Sequence, residues 1–79
     1  MKVLYFAQAG DAAGCREEHW DVDGPLMVDE FWAEAVRRHP GLAALRTQSR
    51  IASNLSYLSA GNSINPDQEV AVIPPVSGG

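Results

Sequence analysis

The residues best placed to do chemistry stand at the end of the sequence, Pro74-Pro75-Val76-Ser77-Gly78-Gly79. A terminal glycine offers one reactive group, its own carboxylate. That group is anionic, with a pKa of roughly 3.5, and a poor electrophile until it becomes an acyl intermediate. Attack on ATP to give an acyl-adenylate is the typical route, yet the sequence holds no GxxxxGK phosphate loop. The expectation is therefore a carrier: Gly79 supplies the carboxylate and a separate enzyme consumes the ATP. Pro74 and Pro75 fix φ at about −65° and hold the segment extended. Six extended residues reach roughly 20 Å, enough to enter a deep site on a partner. Gly78 and Gly79 lack Cβ atoms, so they thread a narrow channel and let backbone approach a reactive centre.

The remaining reactive side chains form no constellation. Cys15 is the one cysteine, so neither an internal disulfide nor a CxxC pair is available. It lies far from the tail in sequence and no histidine is expected beside it, so a small buried or edge residue is expected. His19 and His39 lack metal-ligand spacing with each other or with Cys15. Glu17-Glu18 and Asp29-Glu30 are adjacent pairs whose side chains diverge, unlike the facing carboxylates of acid–base catalysis. No metal site, no permanently bound cofactor and no stand-alone active site are expected.

Seventy-nine residues make one domain, and a chain this size buries only about 60% of its unfolded surface. Ten acids against six bases give a net charge of −4, which disfavours nucleic acid as a partner. Four arginines (Arg37, Arg38, Arg46, Arg50) cluster in a fourteen-residue stretch, which reads either as solvated charge at a helix end or as a contact for an acidic partner. No apolar run approaches the ~20 residues that span a membrane, and Met1 to Ala7 lacks a signal-peptide pattern. The expectation is a cytoplasmic protein with a reduced thiol and no membrane contact.

These tail residues must be held by something. Val3 to Ala7 and Glu69 to Ile73 read as strands, the first apolar throughout and the second from Val70 to Ile73. Gln8 to Gly14 reads as a loop or turn. Cys15 to Val22 reads as a second strand with Arg16, Glu18 and Trp20 at outward positions, ended by Asp23-Gly24-Pro25. From Met27 to His39, Val28, Phe31, Trp32, Ala35 and Val36 recur at helical spacing. Asp29 and Glu30 in the first turn and Arg37, Arg38 and His39 in the last suit the helix dipole. Leu42 to Arg46 adds a short helical turn. Arg50 to Asn54 and Ser56 to Leu58 are short strands, with turns at 59–63 and 65–67.

Runs apolar on every residue imply strands covered on both faces, which places the first and last strands together at the sheet centre. One helix covers only one face. If Val3, Tyr5, Val70 and Val72 face it, then Leu4, Phe6, Ala71 and Ile73 form an uncovered apolar patch, the mark of a protein interface. The order of elements is that of the α+β β-grasp, the ubiquitin architecture: a mixed sheet, one main helix on one face and a flexible Gly-Gly tail. The domain is bounded at 1–73 and the tail at 74–79.

The sequence resembles the small subunit of molybdopterin synthase, a ubiquitin-like sulfur carrier. The likeness lies in Met1-Lys2-Val3-Leu4-Tyr5-Phe6-Ala7-Gln8, in Val28-Asp29-Glu30 before an apolar-faced helix, in Asn54, and most specifically in Glu69-Val70-Ala71 leading into Pro74-Pro75-Val76-Ser77-Gly78-Gly79. It departs from the family pattern at Ala9-Gly10-Asp11, Ser53, Asn65 to Gln68 and Val72-Ile73. The resemblance implies that an adenylating enzyme activates Gly79 with ATP and that a sulfur donor protein converts it to a thiocarboxylate. The tail then enters the large subunit of a heterotetrameric synthase and gives sulfur to cyclic pyranopterin monophosphate. It further implies partner contacts at Phe6, Tyr57 and Ile73 and along Pro74, Pro75, Val76 and Ser77. A sister carrier for thiazole, cysteine or tRNA thiolation, and a β-grasp binding module with an inert tail, are the alternatives.

Overall fold

A computed structural model describes residues 1–75. In chain order its elements are β1 (Lys2–Tyr5), α1 (Gln8–Ala13), β2 (Glu17–His19), β3 (Leu26–Met27), α2 (Val28–Arg38), a 3₁₀ helix (Pro40–Leu45), β4 (Arg50–Ser53), β5 (Ser56–Leu58), β6 (Ser63–Ile64) and β7 (Glu69–Ile73). The main sheet runs β2-β1-β7-β4-β5, with β1 and β7 parallel and the other pairs antiparallel. β3 and β6 form a separate two-stranded ribbon. One helix across one face of this mixed sheet is the β-grasp arrangement.

Period-two patterning decides which way each strand faces. Val3, Tyr5, Val70 and Val72 are fully buried, and Ile51 joins them from β4. α2 lies over this face through Val28, Phe31, Trp32 and Ala35, the residues repeated at helical spacing. Burying a side chain such as Phe31 stabilises by about 1.5–3 kcal/mol, so these residues hold the sheet to the helix. At the start of α2 the Glu30 carboxylate accepts a hydrogen bond from the Met27 N–H at 2.8 Å, offsetting the lack of a capping side chain. At its end His39 N–H still reaches Ala35 O at 2.8 Å before Pro40 breaks the helix.

Two departures from the family pattern compensate each other. Ser53 is buried, but its Oγ donates to Glu69 O at 2.8 Å and accepts from Gln68 Nε2 at 2.7 Å. Gln68 in turn closes the 65–68 turn, its N–H on Asn65 O at 3.0 Å and its Oε1 on Asn65 N–H at 2.7 Å.

Three expectations need correction. The segment from Gln8 is a helix, α1, and not a loop; Ala9 is fully buried and Gly14 ends it in the left-handed conformation that glycine adopts without strain. The second strand is only Glu17 to His19, and Trp20 points inward, fully buried and stacked on Phe31 with centroids 4.8 Å apart. Part of the 59–63 turn belongs to a strand: Ser63 pairs with Met27, and Ile64 fills the core.

Candidate functional site

The face of the sheet turned away from α2 carries the predicted contact residues. Its cross-strand register builds one continuous row, Leu4↔Ala71↔Ala52↔Tyr57. A second row joins Ile73 to Arg50, and Phe6 follows β1 with its N–H on Val72 O at 3.1 Å. Phe6 is 47% exposed and Tyr57 60% exposed, while Ile73 is half-buried between them in the strand order. Phe6 and Ile73 therefore stand on one apolar face, as the alternation required, and Tyr57 joins them through its pairing with Ala52. Charge gathers at the end of the sheet away from the tail: Lys2 Nζ lies 3.5 Å from Glu69 and 3.8 Å from Glu17. At the tail end the Arg50 guanidinium sits over the Tyr57 ring, 5.0 Å from its centroid.

The tail root leaves the middle of the sheet. β7 ends at Ile73, Pro74 is buried, and Pro75 is exposed. Gln48, Arg50, Tyr57, Ile73, Pro74 and Pro75 line a shallow cleft here. Val76, Ser77, Gly78 and Gly79 lie outside the described residues.

Backbone strain brackets the same face. Ala7 holds φ 50° and ψ −125° where the chain swings from β1 into α1 directly after Phe6. Asn54 and Leu55, at φ 54° and 65°, form the two-residue turn between β4 and β5. Asparagine accepts that conformation readily; leucine does not, and Leu55 is 106% exposed. Sequence reading passed over Leu55, the second residue of a two-residue turn whose type I′ form needs positive φ at both positions.

A second cluster lies elsewhere, across the edge strand. Glu18 Oε1 accepts hydrogen bonds from the Tyr5 hydroxyl, from Trp20 Nε1 at 2.8 Å and from His39 Nε2 at 2.8 Å. Burial alone would raise the Glu18 pKa, but the hydrogen bonds from Trp20, Tyr5 and His39 outweigh it and hold the carboxyl below its usual range. Burial, reinforced by Glu18, pushes the Tyr5 hydroxyl far above the ordinary phenol value and raises the Cys15 thiol. The expectation that Cys15 has no histidine nearby fails in space. Cys15 Sγ, a Glu18 carboxylate oxygen and a His39 ring nitrogen all lie within 4.8 Å of one another. Glu17 points away to Lys2, so the Glu17-Glu18 pair does diverge.

This geometry has counterparts. The sequence matches the ThiS family over residues 3–79. The chain belongs to the ThiS family. Among ThiS-family relatives, the molybdopterin synthase sulfur carrier subunit of Homo sapiens is 39% identical, with all of this chain and 93% of the relative covered. The protein of the same name from Chlamydomonas reinhardtii is 31% identical over 100% of this chain and 98% of its own. The crystal structure of SAMP1 from Haloferax volcanii superposes with a TM-score of 0.85 at 29% identity, covering 100% of this chain and 98% of that one. The ThiS-family assignment and this superposition agree with the β-grasp architecture. Among the described residues no helix is long and apolar enough to cross a membrane.

Proposed function

We propose that the chain is the sulfur carrier subunit of a molybdopterin synthase and works through the Gly79 carboxylate. An adenylating enzyme joins that carboxylate to the α-phosphate of ATP, releasing pyrophosphate. A persulfide of the sulfur donor protein then displaces AMP to give an acyl disulfide, and a thiol reductant cleaves the S–S bond, leaving a C-terminal thiocarboxylate and a disulfide. Seated in the large subunit, the thiocarboxylate sulfur attacks a carbon of cyclic pyranopterin monophosphate and displaces its oxygen substituent, and water then cleaves the acyl–sulfur bond to return the carboxylate. The chain supplies the reactive terminus and the docking face, operates in the cytoplasm, and leaves the remaining chemistry to its partners.

The observation that carries this reading is the open apolar face running into the tail root. Phe6, Tyr57 and Ile73 sit on the face next to Pro75, so a partner seated there lies beside the root of the tail. The likeness to named sulfur carrier subunits supports the same role. The test is intact-mass analysis after incubation with ATP, the adenylating enzyme and a sulfur source. The expected result is a mass gain equal to replacing one oxygen by sulfur at Gly79, absent when Gly79 is deleted. A terminus that keeps both oxygens under these conditions overturns the proposal.

A second reading is favoured by the superposition on a protein named as a small archaeal modifier. There Gly79 would be joined to an amine of another protein. In cell extract supplied with ATP, the modifier reading gives covalent adducts of higher mass, whereas the carrier gives the thiocarboxylate alone.

A further inference from the structure

Cys15, Glu18 and His39 come from three segments that meet only in the folded chain: the α1–β2 connection, edge strand β2 and the residue ending α2. All three are half-buried, and their donor atoms lie within 4.8 Å of one another. We propose that they form a binding site for a borderline divalent transition metal ion, zinc being the best fit.

The donor types select the metal. A thiolate and an imidazole suit zinc or cobalt, whereas calcium and magnesium need oxygen ligands throughout. Zinc–sulfur bonds of about 2.3 Å and zinc–nitrogen or zinc–oxygen bonds of about 2.0–2.1 Å put tetrahedral ligand atoms roughly 3.3–3.6 Å apart. His39 Nε2 and Glu18 Oε1 stand at 2.8 Å and must open slightly. The widest separation, at most 4.8 Å, must close by about 1 Å, within reach of small side-chain rotations.

The surroundings already orient the ligands. Tyr5 and Trp20 donate to Glu18 Oε1 and fix the carboxylate, and the Tyr5 ring meets the His39 ring edge-on at 5.6 Å. Such outer contacts are what hold metal ligands in place. On binding, the Cys15 S–H bond breaks, its proton passes to solvent, and the sulfur lone pair enters the coordination bond. His39 releases its Nε2 proton to solvent and keeps or takes one on Nδ1, and the freed Nε2 lone pair enters the second coordination bond in place of the hydrogen bond to Glu18. Three protein ligands leave a fourth position for water, and the ion clamps the edge strand to the end of α2.

The test uses the full chain titrated with zinc by calorimetry and with cobalt by absorption spectroscopy, beside Cys15→Ala and His39→Gln. The wild type is expected to bind one zinc per chain and to melt at a higher temperature with zinc than without. Its cobalt form should show a sulfur-to-metal charge-transfer band and the strong visible bands of tetrahedral coordination. Cys15→Ala should lose the charge-transfer band, the melting shift and about 100-fold or more in association constant. Cys15 is half-buried and outside any regular element, so its alanine variant keeps the fold, which circular dichroism checks. Absence of saturable binding overturns the proposal. So does binding that survives unchanged in Cys15→Ala, or a weak six-coordinate cobalt spectrum without the sulfur band.

Discussion

The two faces of the central sheet are made by the same strands and have opposite fates. On the side of α2, Val3, Tyr5, Ile51, Val70 and Val72 are sealed under Phe31, Trp32 and Trp20. On the other side Leu4, Phe6, Ala52, Tyr57, Ala71 and Ile73 are as apolar, yet nothing in the described chain covers them. The first face gains its stabilisation when the chain folds. The second can gain it only when something else arrives. Apolar residues on both sides of a strand are therefore no proof of a three-layer domain, since the third layer can belong to a partner.

Substitutions on the two faces should separate these roles. The largest effect is expected for Trp20→Ala, which empties the stack on Phe31 and should cost about 3–5 kcal/mol in denaturant unfolding. If the loss is under about 1 kcal/mol, Trp20 is not part of the covered face. Phe6→Asp should do the reverse. It should weaken binding to the large subunit by about 2 kcal/mol, roughly 30-fold, while shifting stability by no more than about 0.5 kcal/mol. Calorimetry against the partner and thermal melting of the free chain read the two numbers, and a larger loss in melting would place Phe6 in the core.

Leu55→Gly probes strain beside the open face and should stabilise by about 1 kcal/mol, because glycine accepts the positive φ that leucine resists. An unchanged denaturation midpoint would mean the turn relaxes around leucine. The smallest effect lies on the far side of α2. Hydrogen bonds from Arg37 and Arg38 hold the Glu34 carboxyl at about 2, below its ordinary value of roughly 4.3. A depressed folded-state pKa gives stability that is full above the unfolded value and lost as pH falls towards the folded one. The wild type should lose a few tenths of a kcal/mol between about pH 5 and pH 2 that Glu34→Gln does not lose. Parallel acid titrations of the two proteins would expose a Glu34 that contributes nothing.

Much of this division was readable before the structure. Val3 and Tyr5 against Leu4 and Phe6 are a period-two pattern, and Val28, Phe31, Trp32 and Ala35 a helical one, so both sheet centre and cover followed from spacing. α1 was not readable, because Gly10, Asp11 and Gly14 are turn residues and six residues are too few to show a period. It is tertiary packing that makes α1 a helix: Ala9 enters the core, and a Cβ on Gly10 would come within 3.1 Å of Tyr5 O. Trp20 misled for another reason. Glu18 lies opposite buried Val3 and turns to the α2 side, so the alternation that carries Glu18 inward carries Trp20 with it, and the two side chains meet at 2.8 Å. The Cys15–Glu18–His39 group was beyond spacing rules, since Cys15 and His39 are twenty-four positions apart and meet only because α2 ends over the edge strand.

The tail springs from a strand bonded on both flanks, to β1 on one side and β4 on the other. Inter-strand hydrogen bonds run across the strand direction, so a pull on the tail along β7 loads both ladders in shear and no single bond can open first. A partner hauling on the terminus meets resistance from the whole sheet at once. The molecule is thus anchored like a bolt through the middle of a plate, and mechanical work done at its tip during docking or release leaves the body intact.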